Sequence, residues 1–585
     1  MNILGLNSFL HSSSASLMNN GNIIGSLEEE RLSREKYTHE FPKKSIDWLL
    51  KKNNMNINDI DVMGFSWNPY LELLYGIRHT IRYFPHSLYS VFNVTTDTPI
   101  LPRIKNICRI KKIIKQYYPE YKGNNKFYYI DHHMTHAANA FFCSPYEEAA
   151  VLVVDGLGDN YDSISIWKGE GSNINKIKSI KFPNSLGTYY LCFVTHLGFL
   201  ETSGPGKVMG LSSYGKDTYV NDFSDMININ YKKQNCNINL DKTKYHLYGR
   251  YRTVSKEFEK IIGKRRNDRE PLTNKHADIA YALQKSFEEG ILGVVQLTKQ
   301  ITKCNNLCLG GGVALNSVAN GIINNSGHFQ KVYISSAPDD SGTSLGAAQY
   351  ISHHMMSYKR LVGNMNGSYT GPDYIEEEIE SCILKYSTFI HFERRRDYID
   401  YAAQLLANGF IVGWFQGKME YGPRALGNRS ILADPRNSNI KYYLNKKVKF
   451  RENYRPYASA VLEEEVDNYF YRNNNNPSPN MSFVYNVREE RKEAIKGTVH
   501  VDGTVRIQTV NARDNIAFRK LIEKFYELTG IPMVINTSFN INKEPICCNP
   551  DDAINCLLKS GLDYLVMGKY VVSKKKEKNN KSDSN

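Results

Sequence analysis

At 585 residues the chain exceeds one core, and two or three domains of about 100–200 residues each are expected. A hydrophobic content of 41% with 23% charged residues excludes a disordered chain, and no apolar run reaches the ~18 residues of a membrane span. The net charge of +14 points to phosphate-bearing ligands. Small anions rank above nucleic acid, because part of the excess sits in the run Lys574-Lys-Lys-Glu-Lys578.

Residues 2–6 read as a strand, with no basic segment and apolar stretch of a leader ahead of them, so a cytoplasmic protein is expected. Asn19-Asn20-Gly21 marks a hairpin turn. A helix is predicted over 44–53, a strand over 126–130, and a helix over 131–142. Residues 149–154 form an apolar run ending at Asp155-Gly156, as a buried strand does. Residues 216–275 are polar and read as a variable insertion. Ile279, Leu283, Phe287, Ile291 and Val294 then recur at helical spacing within a helix over 276–302. Strands at 307–309 and 331–335 alternate with helices, which argues an α/β first domain over 1–365. Gly and Asn loosen the chain over 362–373, the expected linker. A second α/β domain over 385–573 includes strands at 410–415, 533–535 and 564–572 and a helix at 515–528. Residues 574–585 read as a disordered basic tail. The ten cysteines form no CxxC pair, which suits free thiols in a reducing compartment.

Four segments carry chemistry. His132 and His136 are four apart, so a helix sets both on one face, able to share a metal ion. Asp340, in a Gly/Ser-rich loop, is the third ligand candidate. Asp155 ends an apolar strand, where ligands of open sheets sit. Gly310, Gly311 and Gly312 close a strand and open a helix, a turn whose amides can approach a nucleotide. Glycines also flank Lys207 in a segment, 203–215, that reads as a loop. In the second half Arg424, Lys449 and Arg506 gather with Arg451 and Arg455 on Gly/Pro-shaped stretches, and Asn536-Thr-Ser538-Phe-Asn540 follows a strand. Cations from separate segments closing on one point would form an oxyanion pocket.

The blocks Glu28-Glu-Glu-Arg-Leu-Ser-Arg34, His132-His-Met-Thr-His136, Lys207-Val-Met-Gly-Leu211, Gly310-Gly-Gly-Val-Ala-Leu-Asn316, Tyr421-Gly-Pro-Arg-Ala-Leu-Gly-Asn-Arg429 and Asn536-Thr-Ser-Phe-Asn540 give the chain its resemblance. It resembles the O-carbamoyltransferases of nodulation-factor and antibiotic biosynthesis (the NodU/CmcH type). The resemblance implies an actin/Hsp70-like ATPase domain followed by a YrdC-like domain. It implies that carbamoyl phosphate and ATP yield carbamoyl-adenylate in the second, and that the first passes the carbamoyl group to an acceptor hydroxyl. Arg424, Lys449, Arg506 and Ser538 would hold carbamoyl phosphate, with Lys449, Arg424 and Asp155 catalytic. His132, His136 and Asp340 would hold a divalent metal, iron or magnesium. Lys207, Gly310–Gly312 and Asn316 would line the nucleotide site. The family's His-Asp-Ser near the start reads His11-Ser12-Ser13 here, and Asn542 and Lys543 replace its usual Arg-Gly. A nucleotide-binding regulator without catalysis and a transferase acting on nucleic acid are the alternatives. The acceptor stays open, as does oligomeric state, with a homodimer among the options.

Overall fold

The computed structural model describes residues 1–87, 100–250, 252–360, 362 and 367–575. Strands β1 (Asn2–Asn7), β2 (Ser14–Asn19) and β3 (Asn22–Glu28) run antiparallel, with the predicted Asn20-Gly21 turn between the last two. β4 (Val62–Phe65) and β5 (Lys126–Tyr129) add in parallel, giving the order β3-β2-β1-β4-β5. The same plan then repeats. β6 (Glu148–Val154), β7 (Asp162–Glu170) and β8 (Asn173–Lys181) run antiparallel. β9 (Asn306–Gly310) and β10 (Lys331–Ile334) join β6 in parallel, for an order β8-β7-β6-β9-β10.

Helix His132–Phe142 lies on the second sheet and helix Thr343–Gln349 on the first, and the two helices pack on each other. A side chain on Gly346 would strike the Thr135 carbonyl, so the close crossing needs glycine there. This duplicated arrangement is the actin/Hsp70-like α/β fold that the family resemblance implies. The predicted long helix is present as Asn274–Thr302, and residues 216–275 are folded onto it through buried Phe223, Met226 and Phe258.

Residues 390–574 supply a ten-stranded mixed sheet. Within it Arg506 lies beside Ala458, and Ala458 beside Asn536. The single strand expected over 564–572 is instead a hairpin, Tyr564–Met567 with Tyr570–Lys574, because Gly568 turns the chain. Lys574 therefore ends a strand rather than starting a tail, and residues 576–585 of that expected tail lie outside the described residues, as do 363–366 of the expected linker.

The halves are joined by polar contacts as well as packing. Helix Ser317–Asn325 rests on strand Phe483–Val487, where Asn324 Nδ2 donates to Tyr485 Oη at 2.8 Å. Arg31 Nη2 donates to Glu28 Oε1 at 2.9 Å and to the Gly422 carbonyl at 2.8 Å. Arg34 Nη1 reaches the Ile546 carbonyl at 2.8 Å. The charged block near the N-terminus is thus a clamp on the second half.

Candidate active site

Asp131 caps helix His132–Phe142 by accepting from the Met134 amide at 2.9 Å. One turn apart, His132 and His136 bring their Nε2 atoms within 3.1 Å of each other. Asp155 arrives from the end of β6, with Oδ2 3.3 Å from His132 Nε2 and 3.8 Å from His136 Nε2. Asp340, in the loop after β10, sets Oδ1 3.5 Å from His132 Nε2 and 3.4 Å from His136 Nε2. One ligand atom from each of these residues lies within 4.8 Å of all the others. Metal–ligand bonds of about 2.1 Å would put neighbouring ligand atoms about 3.0–3.4 Å apart, so the donors fit one ion.

The surroundings hold this donor set in place. His132 Nδ1 donates to the Ser66 carbonyl at 3.3 Å, which turns the Nε2 lone pair toward the cluster. Trp67 packs on the same ring. His136 Nδ1 is buried without a hydrogen-bond partner. Burial works against charge on His132, yet Asp340 and Asp155 outweigh it and raise its pKa well above the usual imidazole value. Burial likewise works against charge on Asp340, and His11 and His132 overcome it, holding that carboxyl well below the usual range. His11, which the sequence shows only as part of the altered His11-Ser12-Ser13 triplet, joins these residues. Its ring, about half exposed, stands at the mouth with Nε2 3.5 Å from Asp340 Oδ2.

The glycine turn serves the same corner. Gly311 has φ of +89° and its amide donates to the Pro338 carbonyl at 2.8 Å. Any side chain there would run into the backbone of Val154. The Gly312 amide donates to Asp155 Oδ1 at 3.1 Å, fixing that carboxylate. The amides of Gly311 and Gly312 therefore both bond within the protein. Asn316 caps helix Ser317–Asn325 through the Ala319 amide at 3.1 Å. The expected loop around Lys207 is a helix, Gly204–Ser212, with Pro205 in its first turn, a position that suits proline. Lys207 pairs with Glu201 and, across the halves, with Glu452 at 2.8 Å.

In the second half two groups of cations form. Lys449 is buried, and its amine donates to Asn540 Oδ1 at 2.7 Å, the Asn540 carbonyl at 3.0 Å and Ser538 Oγ at 3.2 Å. Burial, and then Arg451, hold its pKa well below the usual lysine value. Arg424, Arg451, Arg455 and Arg506 make the second group. Burial and then its three arginine neighbours push Arg506 far down. Burial and then Arg451 bring Arg455 down to about 10. Arg506 Nε is buried without a partner, and Arg424 makes a long hydrogen bond, 3.4 Å, to the Leu315 carbonyl. Arg424 also lines a cleft between the halves with Leu315, Ser317, Ser336, Asn480 and Ser482. The structure thus brings Arg424 to Arg506 and Lys449 to Ser538, with Arg451 adjoining both groups.

One loop touches both regions. Glu420 Oε1 gathers the amides of Leu426, Asn428 and Arg429 at 2.7, 2.8 and 3.1 Å. The Tyr421 hydroxyl donates to the carbonyl of Ser341, next to Asp340, and Gly422 donates to Glu28 Oε1 at 2.9 Å. Arg424 follows within the arginine group. Sequence reasoning marked this block for its arginines and missed Tyr421; the charged run at Glu28–Arg34 was the one available sign of a contact.

The chain matches two family models: Carbamoyltransferase N-terminus over residues 2–349 and Carbamoyltransferase C-terminus over residues 403–574. It is 34% identical to the uncharacterized protein sll1178 of Synechocystis, over 98% of this chain and 96% of that one. It is 33% identical to nodulation protein NolNO of Sinorhizobium fredii, over 97% of this chain and 80% of that one. Nodulation protein NolO of Bradyrhizobium diazoefficiens is 36% identical, over 76% of this chain and 79% of its own length.

Proposed function

The chain belongs to the carbamoyltransferase family, and we propose that it transfers the carbamoyl group to an acceptor hydroxyl by way of a carbamoyl-adenylate made with ATP. Carbamoyl phosphate would first lose its phosphate to water. A carbamate oxygen would then bond to the α-phosphorus of ATP, and pyrophosphate would leave. The acceptor oxygen would next attack the carbamoyl carbon and release AMP, with the hydroxyl proton passing to a base.

The observation that carries this reading is the loop Tyr421–Arg424, which ties the Asp340 corner to an arginine group short of anions. Arg424, Arg451, Arg455 and Arg506 would bind the phosphate of the donor, and excess positive charge there would favour the developing negative charge of adenylation. Lys449, oriented by Ser538 and Asn540, would add a point charge. In the first half His132, His136, Asp155 and Asp340 would hold a divalent metal, which when bound supplies Lewis-acid charge beside the nucleotide. Two imidazoles with two carboxylates favour iron over magnesium, whose preferred ligands are oxygens. His11, exposed at the mouth, would take the proton of the acceptor hydroxyl.

The test is product analysis. AMP and pyrophosphate should form only when ATP and carbamoyl phosphate are both present. ADP as the nucleotide product would rule the adenylate route out.

A further inference from the structure

Helix Pro69–Arg82 begins at the metal corner: Trp67 packs on His132 with ring centroids 4.7 Å apart, and Asn68 caps the helix. Its two faces differ. Tyr75, His79 and Tyr83 turn inward, onto Tyr161, Phe182 and His246. At about 100° per residue, Tyr70, Leu73, Leu74, Ile77 and Ile81 fall on the opposite side, and Phe84 follows them. These six side chains are 47–73% exposed. Single exposed apolar residues are ordinary, whereas a continuous stripe marks a contact surface.

Charge says what kind of contact. Arg78 and Arg82 border the stripe and are exposed. The following helices, Ile100–Cys108 and Ile110–Tyr117, expose Lys105, Lys111, Lys112 and Lys115. Among the described residues of 69–117 the one acid is Glu72, which is buried and paired with Arg103 and with Trp67 Nε1. A second copy meeting this face by two-fold symmetry would set cations against cations. Nucleic acid would answer the cations and leave the apolar stripe in water. An anionic lipid surface answers both, with headgroups for the arginines and lysines and acyl chains for the stripe.

We propose that this face docks the protein reversibly on an anionic bilayer and holds the mouth of the metal corner close to that surface. No helix among the described residues is long and apolar enough to cross a membrane, so the contact is interfacial. If the carbamoyl-transfer reading holds, the acceptors within easiest reach are hydroxyl-bearing molecules held in that membrane. Docking does not depend on that reading.

The test is cosedimentation of the full chain with vesicles, some of phosphatidylcholine alone and some of phosphatidylcholine and phosphatidylglycerol in equal parts. Binding to the anionic vesicles should exceed binding to the neutral ones about tenfold or more and fall with added salt. The double variants Ile77→Ser with Ile81→Ser, and Arg78→Glu with Arg82→Glu, should each lose most of it while keeping their thermal midpoint and carbamoyl-phosphate-dependent AMP formation. Equal binding to both vesicle types, or undiminished binding by both variants, would overturn the proposal. So would a dimer in lipid-free solution that the serine variant converts to monomer. Loss of AMP formation in wild type with vesicle binding intact would reject the catalytic reading alone.

Discussion

The two halves gather charge in different ways, one by pairing opposite signs and the other by crowding a single sign. In the first, His132 and His136 face the carboxylates of Asp155 and Asp340, donors of opposite charge within reach of one proposed cation. In the second, Arg424, Arg451, Arg455 and Arg506 repel one another, and the missing partner is an anion. The first group is balanced within itself, with His132 and the carboxylates each favouring the other's charge, whereas the arginine group is not arranged for the stability of the empty protein, since clustered like charges weaken a fold unless a ligand compensates. The His132–Asp340 corner is built from the ends of regular elements, with His132 oriented by the Ser66 carbonyl and Asp155 by the Gly312 amide. The arginine group is assembled from a strand and irregular segments, and Arg506 Nε lacks any partner. A resident ion suits the first and a ligand that comes and goes suits the second.

Substitution can break this contrast. The largest effect is expected from His132→Ala: metal content measured by elemental analysis should vanish and carbamoyl transfer fall by about a thousandfold or more, while pyrophosphate exchange persists. Equal loss of both half-reactions would end the division between the halves. Lys449→Ala should do the reverse, lowering pyrophosphate exchange by roughly two to three orders of magnitude with metal content unchanged.

Arg506→Met sharpens the comparison through stability. It should slow adenylation by about a hundredfold. Yet the ligand-free protein should melt at a higher temperature than wild type, because burial and three neighbouring charges disfavour the Arg506 cation in the folded state. Calorimetry showing a lower midpoint would mean that the arginine contributes structure rather than a binding site. The smallest effect is expected from Tyr421→Phe, which removes the hydrogen bond to Ser341 at a cost of about 1 kcal/mol. Transfer should slow several-fold with adenylation little changed, measured by single-turnover kinetics on each half-reaction.

Much of the metal corner was legible because local rules governed it. The spacing of His132 and His136 dictates a shared helical face, and Asp155 ends an apolar run whose strand character is plain. His11 was not legible, because it reaches Asp340 through the folding of the β1–β2 connection across the duplicated sheets. Lys449 and Ser538 were placed together through the family resemblance alone, because Lys449 follows the irregular turn Leu444–Val448 and meets the end of strand Met533–Ser538 only through the tertiary fold. Helix Gly204–Ser212 was hidden by its three glycines, whose low propensity is overridden by packing on helix Asn274–Thr302. Residues 564–572 misled in the opposite way, because two β-rich runs concealed the tight turn at Gly568.

The repeated sheet order has a mechanical consequence. Asn7, at the end of β1, donates to the Asp340 carbonyl at 3.1 Å, while Asp340 itself follows β10 of the second copy. His11 spans the same seam. Any rotation of one sheet against the other must therefore stretch these contacts and disturb the spacing of His132, His136, Asp155 and Asp340. Parting the sheets and spreading the four donors become a single motion, with the seam acting as its latch.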